Sequence, residues 1–214
     1  MIRILLISFV FITSFSSSLL AKLRSFEGNI NFVRETVFDT THIAMMVKDN
    51  MVRVDEFDSN RKLISCQIIN LKEEEVIALS SDKKLYAQVP VTPRIANGTN
   101  SIEISKTANH KQINGYTCYQ WRVKDVKRNT EIAYWVFEER FDFFESLIQL
   151  LNRTEYSLTA FIDIPEKGGF FPMLTEERTL LRKDKLRIAV VDICEKSLQQ
   201  SLFEIPSDYK SAKR

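Results

Sequence analysis

The sequence predicts a mainly β fold, a curved antiparallel sheet or half-barrel with one main apolar helix packed in its concave face. Three observations carry that expectation. Short segments with apolar residues at every second position recur along most of the chain, separated by polar turns. A single segment switches to helical spacing. The composition, 44% hydrophobic with only 5 Gly and 5 Pro, supplies a sizeable core and excludes a disordered or fibrous chain.

The chain opens MIRILLISFVFITSFSSSLLAK. Arg3 supplies a positive start, Ile4 to Phe15 an apolar run, and Ser16–Ser18 with Ala21 the small residues of a cleavage site. That order predicts a signal peptide over 1–21, cut after Ala21 or alternatively after Ser18. Ser8, Thr13 and Ser14 interrupt the run, which falls short of the roughly 20 apolar residues of a membrane span. No cysteine follows the apolar core, so no lipid anchor is expected at a new N-terminus. Residues 22–214 are expected to form a single β-rich domain, periplasmic or secreted, with no membrane span left after signal removal. Thirty basic residues against 28 acidic ones leave a net charge of +2, which argues against a nucleic-acid partner.

Phe26–Phe38 alternates, with Phe26, Ile30 and Phe32 on one face. Ile43–Lys48 and Met51–Phe57 form a hairpin about Asp49-Asn50. Turns at Ser59-Asn60, Lys72–Glu75 and Ser81-Asp82 continue the meander, until Pro90 and Pro93 break the ladder. The pattern resumes in Ile102–Thr107, Tyr116–Val126 and Thr130–Phe137. Asn114-Gly115 reads as a turn with Gly115 at positive φ, followed by a strand burying Tyr119, Trp121 and Val123 with Cys118 on the other face. In RFDFFESLIQLLNRTE, Phe141, Phe144, Leu147, Ile148 and Leu151 fall at helical spacing, and Asp142 and Glu145 suit the positive end of the dipole. A last hairpin turns at Lys183-Asp184.

The segments INGYTCY (Ile113–Tyr119), TEIAYWV (Thr130–Val136) and SLFEIPSDY (Ser201–Tyr209) resemble the pattern of an uncharacterised family of exported bacterial proteins, a domain of unknown function. The likeness runs from Phe26 to Tyr209. In layout that family is similar to the periplasmic carriers of outer-membrane lipoproteins, whose half-barrel cups an apolar groove closed by helices. The resemblance implies a fold and brings no catalytic residues with it.

Candidate chemistry is sparse. Cys66, Cys118 and Cys194 allow one disulfide in any of three pairings, or none if they serve as small packing residues. Cys66, in line with Ile64 and Ile68, is expected in the core. His42 and His110 have no partner at ligand spacing, so no metal site and no cofactor are expected. No nucleophile elbow accompanies His110, Asp142 and Glu145 are explained by their helix turn, Glu73–Glu75 by a hairpin tip, and Gly168-Gly169 by a turn. No enzymatic activity is expected.

The aromatic residues say more. Phe141, Phe143, Phe144, Phe170 and Phe171 gather about the helix and the loop after it, and Met45, Met46 and Met173 add deformable side chains. Apolar residues fill seven of the eleven positions from Phe141 to Leu151, more than one sheet contact requires. The expected site is an apolar groove lined by Met45, Met46, Trp121, Phe141, Phe144, Leu147, Phe170 and Phe171. Its expected ligand is apolar or lipid-like, or an acylated envelope protein. The alternative is a non-catalytic protein–protein interaction module of the envelope with a solid core.

Overall fold

Period-two segments joined by two- to five-residue turns pair with their nearest neighbours, and here they build one twelve-stranded sheet. The computed structural model describes residues 25–92, 102–138, 141–151 and 155–212, so the expected signal peptide and Pro93 lie outside the described residues. The strands are β1 (Gly28–Thr36), β2 (Thr40–Lys48), β3 (Met51–Phe57), β4 (Leu63–Asn70), β5 (Glu75–Ser80) and β6 (Leu85–Val89). After these come β7 (Ile102–Ile113), β8 (Tyr116–Asp125) and β9 (Thr130–Glu138). Two helices follow, α1 (Phe143–Leu150) and α2 (Tyr156–Ile162), then β10 (Phe170–Thr179), β11 (Asp184–Glu195) and the short β12 (Lys210–Ser211). The sheet order is β12-β6-β5-β4-β3-β2-β1-β11-β10-β9-β8-β7. All neighbours are antiparallel except β12, which lies parallel to β6.

Strands β6 and β7 are consecutive in the chain yet stand ten strand spacings apart in the sheet. In a flat sheet that separation is roughly 48 Å at about 4.8 Å per strand. The chain from Val89 to Ile102 reaches only about 45 Å when fully extended. The sheet must therefore curve. Bulges between Asn31 and Phe32, between Pro172 and Leu174, and between Lys106 and His110 add to its twist.

Both helices lie on one face and complete the core there. Phe144, Leu147, Ile148 and Leu150 of α1 are buried with Phe26, just before β1, and with Ile30, Met45 and Val54 from the sheet. The expected helix is thus present and a second one accompanies it. Helix α2 escapes a reading by periodicity because it has seven residues, YSLTAFI, with Thr159 and Ile162 β-branched.

The C-terminal residues after β11 cross the other face. Arg53, which points away from its neighbours Val52 and Val54, donates to the Leu202 carbonyl (3.2 Å), and Phe203 is buried. Lys48 Nζ donates to the Leu198 carbonyl (2.6 Å), and β12 then covers the β6 edge. Gly28 permits a close approach of β1 to β11: a Cβ there would lie 2.2 Å from the Cys194 carbonyl oxygen, at φ +154°. Asn114 (φ 50°) and Gly115 (φ 83°) form the expected turn of a tight hairpin.

All three cysteines are free thiols. Cys194 on β11 lies four strand spacings from Cys66 on β4 and three from Cys118 on β8, roughly 14 Å or more, where bridging needs Cα atoms within about 7 Å. Cys66 and Ile68 are buried as expected, while Ile64 is exposed. Cys118 is fully buried on the face opposite Trp121, beside Lys111, whose Nζ sits 4.0 Å from the Trp135 ring centroid. The expectation that Tyr119 is buried fails: it is 42% exposed. Its partner on the edge strand is His110, just past the β7 bulge, and the His110 ring, 6.2 Å away between centroids, covers it only in part.

Candidate functional site

Between the concave face and the helices lies a small apolar cavity of about 70 Å³. Phe32 of β1, Ile43 and Met45 of β2, Val54 of β3 and Ile188 of β11 form its floor. Phe144, Leu147 and Ile148 of α1, with Leu151 after it and Leu158 of α2, form its roof. Alternation along β2 aims Ile43 and Met45 inward together. The 3.6-residue repeat of α1 does the same for Phe144, Leu147 and Ile148. Its polar lining is the buried Thr175 together with Arg34 and Glu155, where Arg34 Nε lies 2.5 Å from Glu155 Oε1.

Of the expected groove residues, Met45, Phe144 and Leu147 line this cavity. Phe141, Phe171, Phe170 and Trp121 build an adjoining aromatic wall. Phe141 stacks on Phe171 (centroids 4.5 Å apart), and Trp121 meets Phe170 at 4.5 Å and Phe161 at 6.3 Å. Met46 does not belong: as the neighbour of Met45 on β2 it points to the other face, where it pairs with Arg53 beneath the C-terminal residues. Sequence reasoning missed Phe32, Ile43, Val54, Ile188 and Leu158 as lining. Their alternation was visible, but which strands stand under the helix depends on β11 inserting between β1 and β10.

The two helices are held differently. Helix α2 is tied to the sheet by polar anchors. The buried Tyr134 hydroxyl donates to the Ser157 carbonyl, the Tyr156 hydroxyl donates to Asp125 Oδ2 (2.6 Å), and Glu155 meets Arg34. Burial, then the hydrogen bond to Asp125, raise the Tyr156 phenol above its ordinary range. Among the described residues α1 has one ion pair, Glu145 with Lys167 (2.9 Å), and Lys167 belongs to the loop before β10. Otherwise α1 rests on apolar contacts: Phe144 meets Phe171 at 4.8 Å and Phe161 at 5.9 Å, both edge to face. The loop is fixed in turn by Lys106 Nζ, which donates to the carbonyls of Pro165 (2.7 Å) and Glu166 (3.1 Å).

Reactive groups are not gathered at the cavity. Burial pushes the Cys66 thiol up to about 12 and the Cys118 thiol up to about 11, so both stay protonated at neutral pH. Among the described residues no three His, Cys, Asp or Glu side chains are placed to share a metal ion. His42 lies on β2 and His110 on the edge strand β7.

Residues 26–209, a span that holds the three quoted segments, match one family model. The chain belongs to the DUF4412 family, a domain of unknown function. No curated protein matches the sequence. Among solved structures, an uncharacterized conserved protein from Thermus thermophilus aligns over 90% of this chain and 93% of its own, at TM-score 0.56 and 9% identity. That likeness shows a shared fold. MucB in the Pseudomonas aeruginosa MucA/MucB complex aligns over 89% of this chain and 58% of its own, at TM-score 0.48 and 10% identity. A domain provisionally assigned to outer membrane lipoprotein sorting in Vibrio parahaemolyticus aligns over 82% of this chain and 87% of its own, at 0.24 and 6%.

Proposed function

We propose that this DUF4412 protein is an exported, non-catalytic binding protein that carries an apolar or lipid-like ligand, free or attached to an acylated envelope protein, in the periplasm. One observation supports this reading above the rest: among the described residues the polar anchors from the helical layer to the sheet belong to α2, while α1, whose one ion pair goes to the loop before β10, sits over the concave floor on an apolar face. A segment held by apolar contacts can be replaced by a ligand that makes similar contacts. The cavity of about 70 Å³ is far below the ~300–1,000 Å³ of a small-molecule site, so ligand entry requires α1 to leave. Such movable segments come from the low-stability end of a fold.

The small cavity also favours the second reading, an interaction module whose concave face is permanently filled. Uptake of an environment-sensitive apolar dye separates the two. The carrier binds dye in the wild type, and Phe144→Ala raises the uptake by enlarging the space under α1. A filled module binds none in either form.

A further inference from the structure

The meander places five hairpin turns side by side along one rim of the sheet: 81–84, 58–62, 37–39, 180–183 and 126–129. Register fixes this order. Thr36 pairs with Leu186, which brings the β1–β2 turn beside the β10–β11 turn, and Thr130 pairs with Thr179, which adds the β8–β9 turn. Leu180 N–H donates to Asn129 Oδ1 (3.3 Å) across the last two. Neighbouring hairpins stand about 10 Å apart.

Four of the five turns carry an exposed pair of adjacent basic residues: Lys83-Lys84, Arg61-Lys62, Arg182-Lys183 and Lys127-Arg128. Asp39, Asp58 and Asp82 are the acidic residues of the same turns, so eight cations face three carboxylates. Lys84 pairs with Asp208 and Arg128 with Asp125. Among the described residues the remaining six bases have no carboxylate within ion-pair distance. The turns of the opposite rim, 49–50, 71–74 and 114–115, hold Lys72 against Asp49, Glu73 and Glu74. The charge of these hairpin turns is polarised across the sheet.

The fifth turn, at the centre of the row, is apolar at Val37 and Phe38. Val37 is 71% exposed and Phe38 97%, and the turn is built to hold them out: Thr36 Oγ1 accepts from the N–H groups of Phe38 (3.1 Å) and Asp39 (3.0 Å). Leu181 (84%) and Val126 (59%) protrude from the next two turns. Turn tips are ordinarily polar, and no contact within the fold explains these four side chains.

We propose that this rim docks on an anionic lipid surface, with Phe38 and Leu181 entering the headgroup layer and the flanking basic pairs meeting the lipid phosphates. Apolar tips set among cations suit the boundary between headgroups and acyl chains, and neither feature alone would hold the protein there. The docked rim is also the one that carries Arg34, which links the cavity mouth at Glu155 to Asp39 of the central turn (3.9 Å). The docking does not depend on the groove being a carrier site, because its residues lie outside the cavity lining.

The test is co-sedimentation of the full mature chain with vesicles of phosphatidylcholine alone or with one-third phosphatidylglycerol. Binding should be about tenfold or more stronger to the anionic vesicles and should fall as salt is raised. Phe38→Ser with Leu181→Ser, and separately Arg182→Glu with Lys183→Glu, should each lower it about tenfold or more. Lys72→Glu on the far rim should leave it unchanged. Unchanged thermal melts show that these tip variants fold. Equal binding to both vesicles, or rim variants that bind like the wild type, would overturn the proposal. Association with poly-glutamate but not with vesicles would overturn it too, assigning the rim to an acidic protein partner.

Discussion

The ring of Phe144 meets the ring of Phe171 edge to face at 4.8 Å, and this contact joins α1 to the sheet without a polar atom. Such a pair contributes about 0.5–1.5 kcal/mol beyond the area it buries, and it has no directional bond to break. A hydrocarbon chain could make equivalent contacts with Phe171 and Phe32, whose rings lie 6.0 Å apart. Helix α1 is therefore expected to open as a unit. In Leu147→Asp, amide protection over 143–150 should be lost while strands β1 and β11 keep theirs, measured by hydrogen exchange. Cooperative unfolding of the whole domain in that variant would make α1 plain core.

Trp121 belongs to the fixed part of the molecule. It is buried between Phe170 and Phe161, with Lys106 Nζ 4.4 Å from its ring centroid. Trp121→Ala should destabilise by about 3–5 kcal/mol in urea denaturation, as large aromatic truncations do. A loss below about 1 kcal/mol would contradict this packing.

The thiols should divide by exposure. Cys194 is exposed, whereas Cys66 and Cys118 are buried and their thiols lie at about 12 and about 11. Alkylation of the native, unreduced protein at pH 8 followed by mass measurement should add one label, and in urea three. Two labels fewer in urea without reductant would reveal a disulfide.

Acid should weaken the closure of the C-terminal segment. Glu27 Oε1 accepts from Leu198 N–H (2.8 Å) and pairs with Lys48 Nζ (3.1 Å), and these contacts hold its carboxyl below the ordinary 4.5. For a depressed acid the stabilisation is complete above the unfolded value and disappears as pH falls through the folded one. The difference in urea midpoint between wild type and Glu27→Gln should therefore be present at pH 7 and shrink below pH 4.5. A difference independent of pH would assign the effect to packing alone.

Much of the architecture was legible because local pattern and pairing agree in a meander: Phe26, Ile30 and Phe32 alternate and are all buried. Helix α1 was legible because its apolar residues crowd eleven positions. Helix α2 was hidden by its length and its β-branched residues. Met46 was misplaced because helices cover one face of β2 and the C-terminal residues cross the other, so consecutive Met45 and Met46 can both be apolar. Tyr119 was misread because exposure next to an edge strand depends on a bulge in that strand, β7, which the sequence of β8 does not contain. The Arg34–Glu155 contact spans residues that only the fold brings together.

The central claim is that the concave face holds an apolar ligand in place of α1. Native mass spectrometry of the protein purified from its own envelope without detergent tests it most directly. A bound apolar species of discrete mass is expected, released by organic solvent and retained or increased in Leu147→Asp, where α1 competes less for the concave face. A wild-type chain that emerges only at its bare mass, from preparations that retain lipid on other carriers, would contradict it.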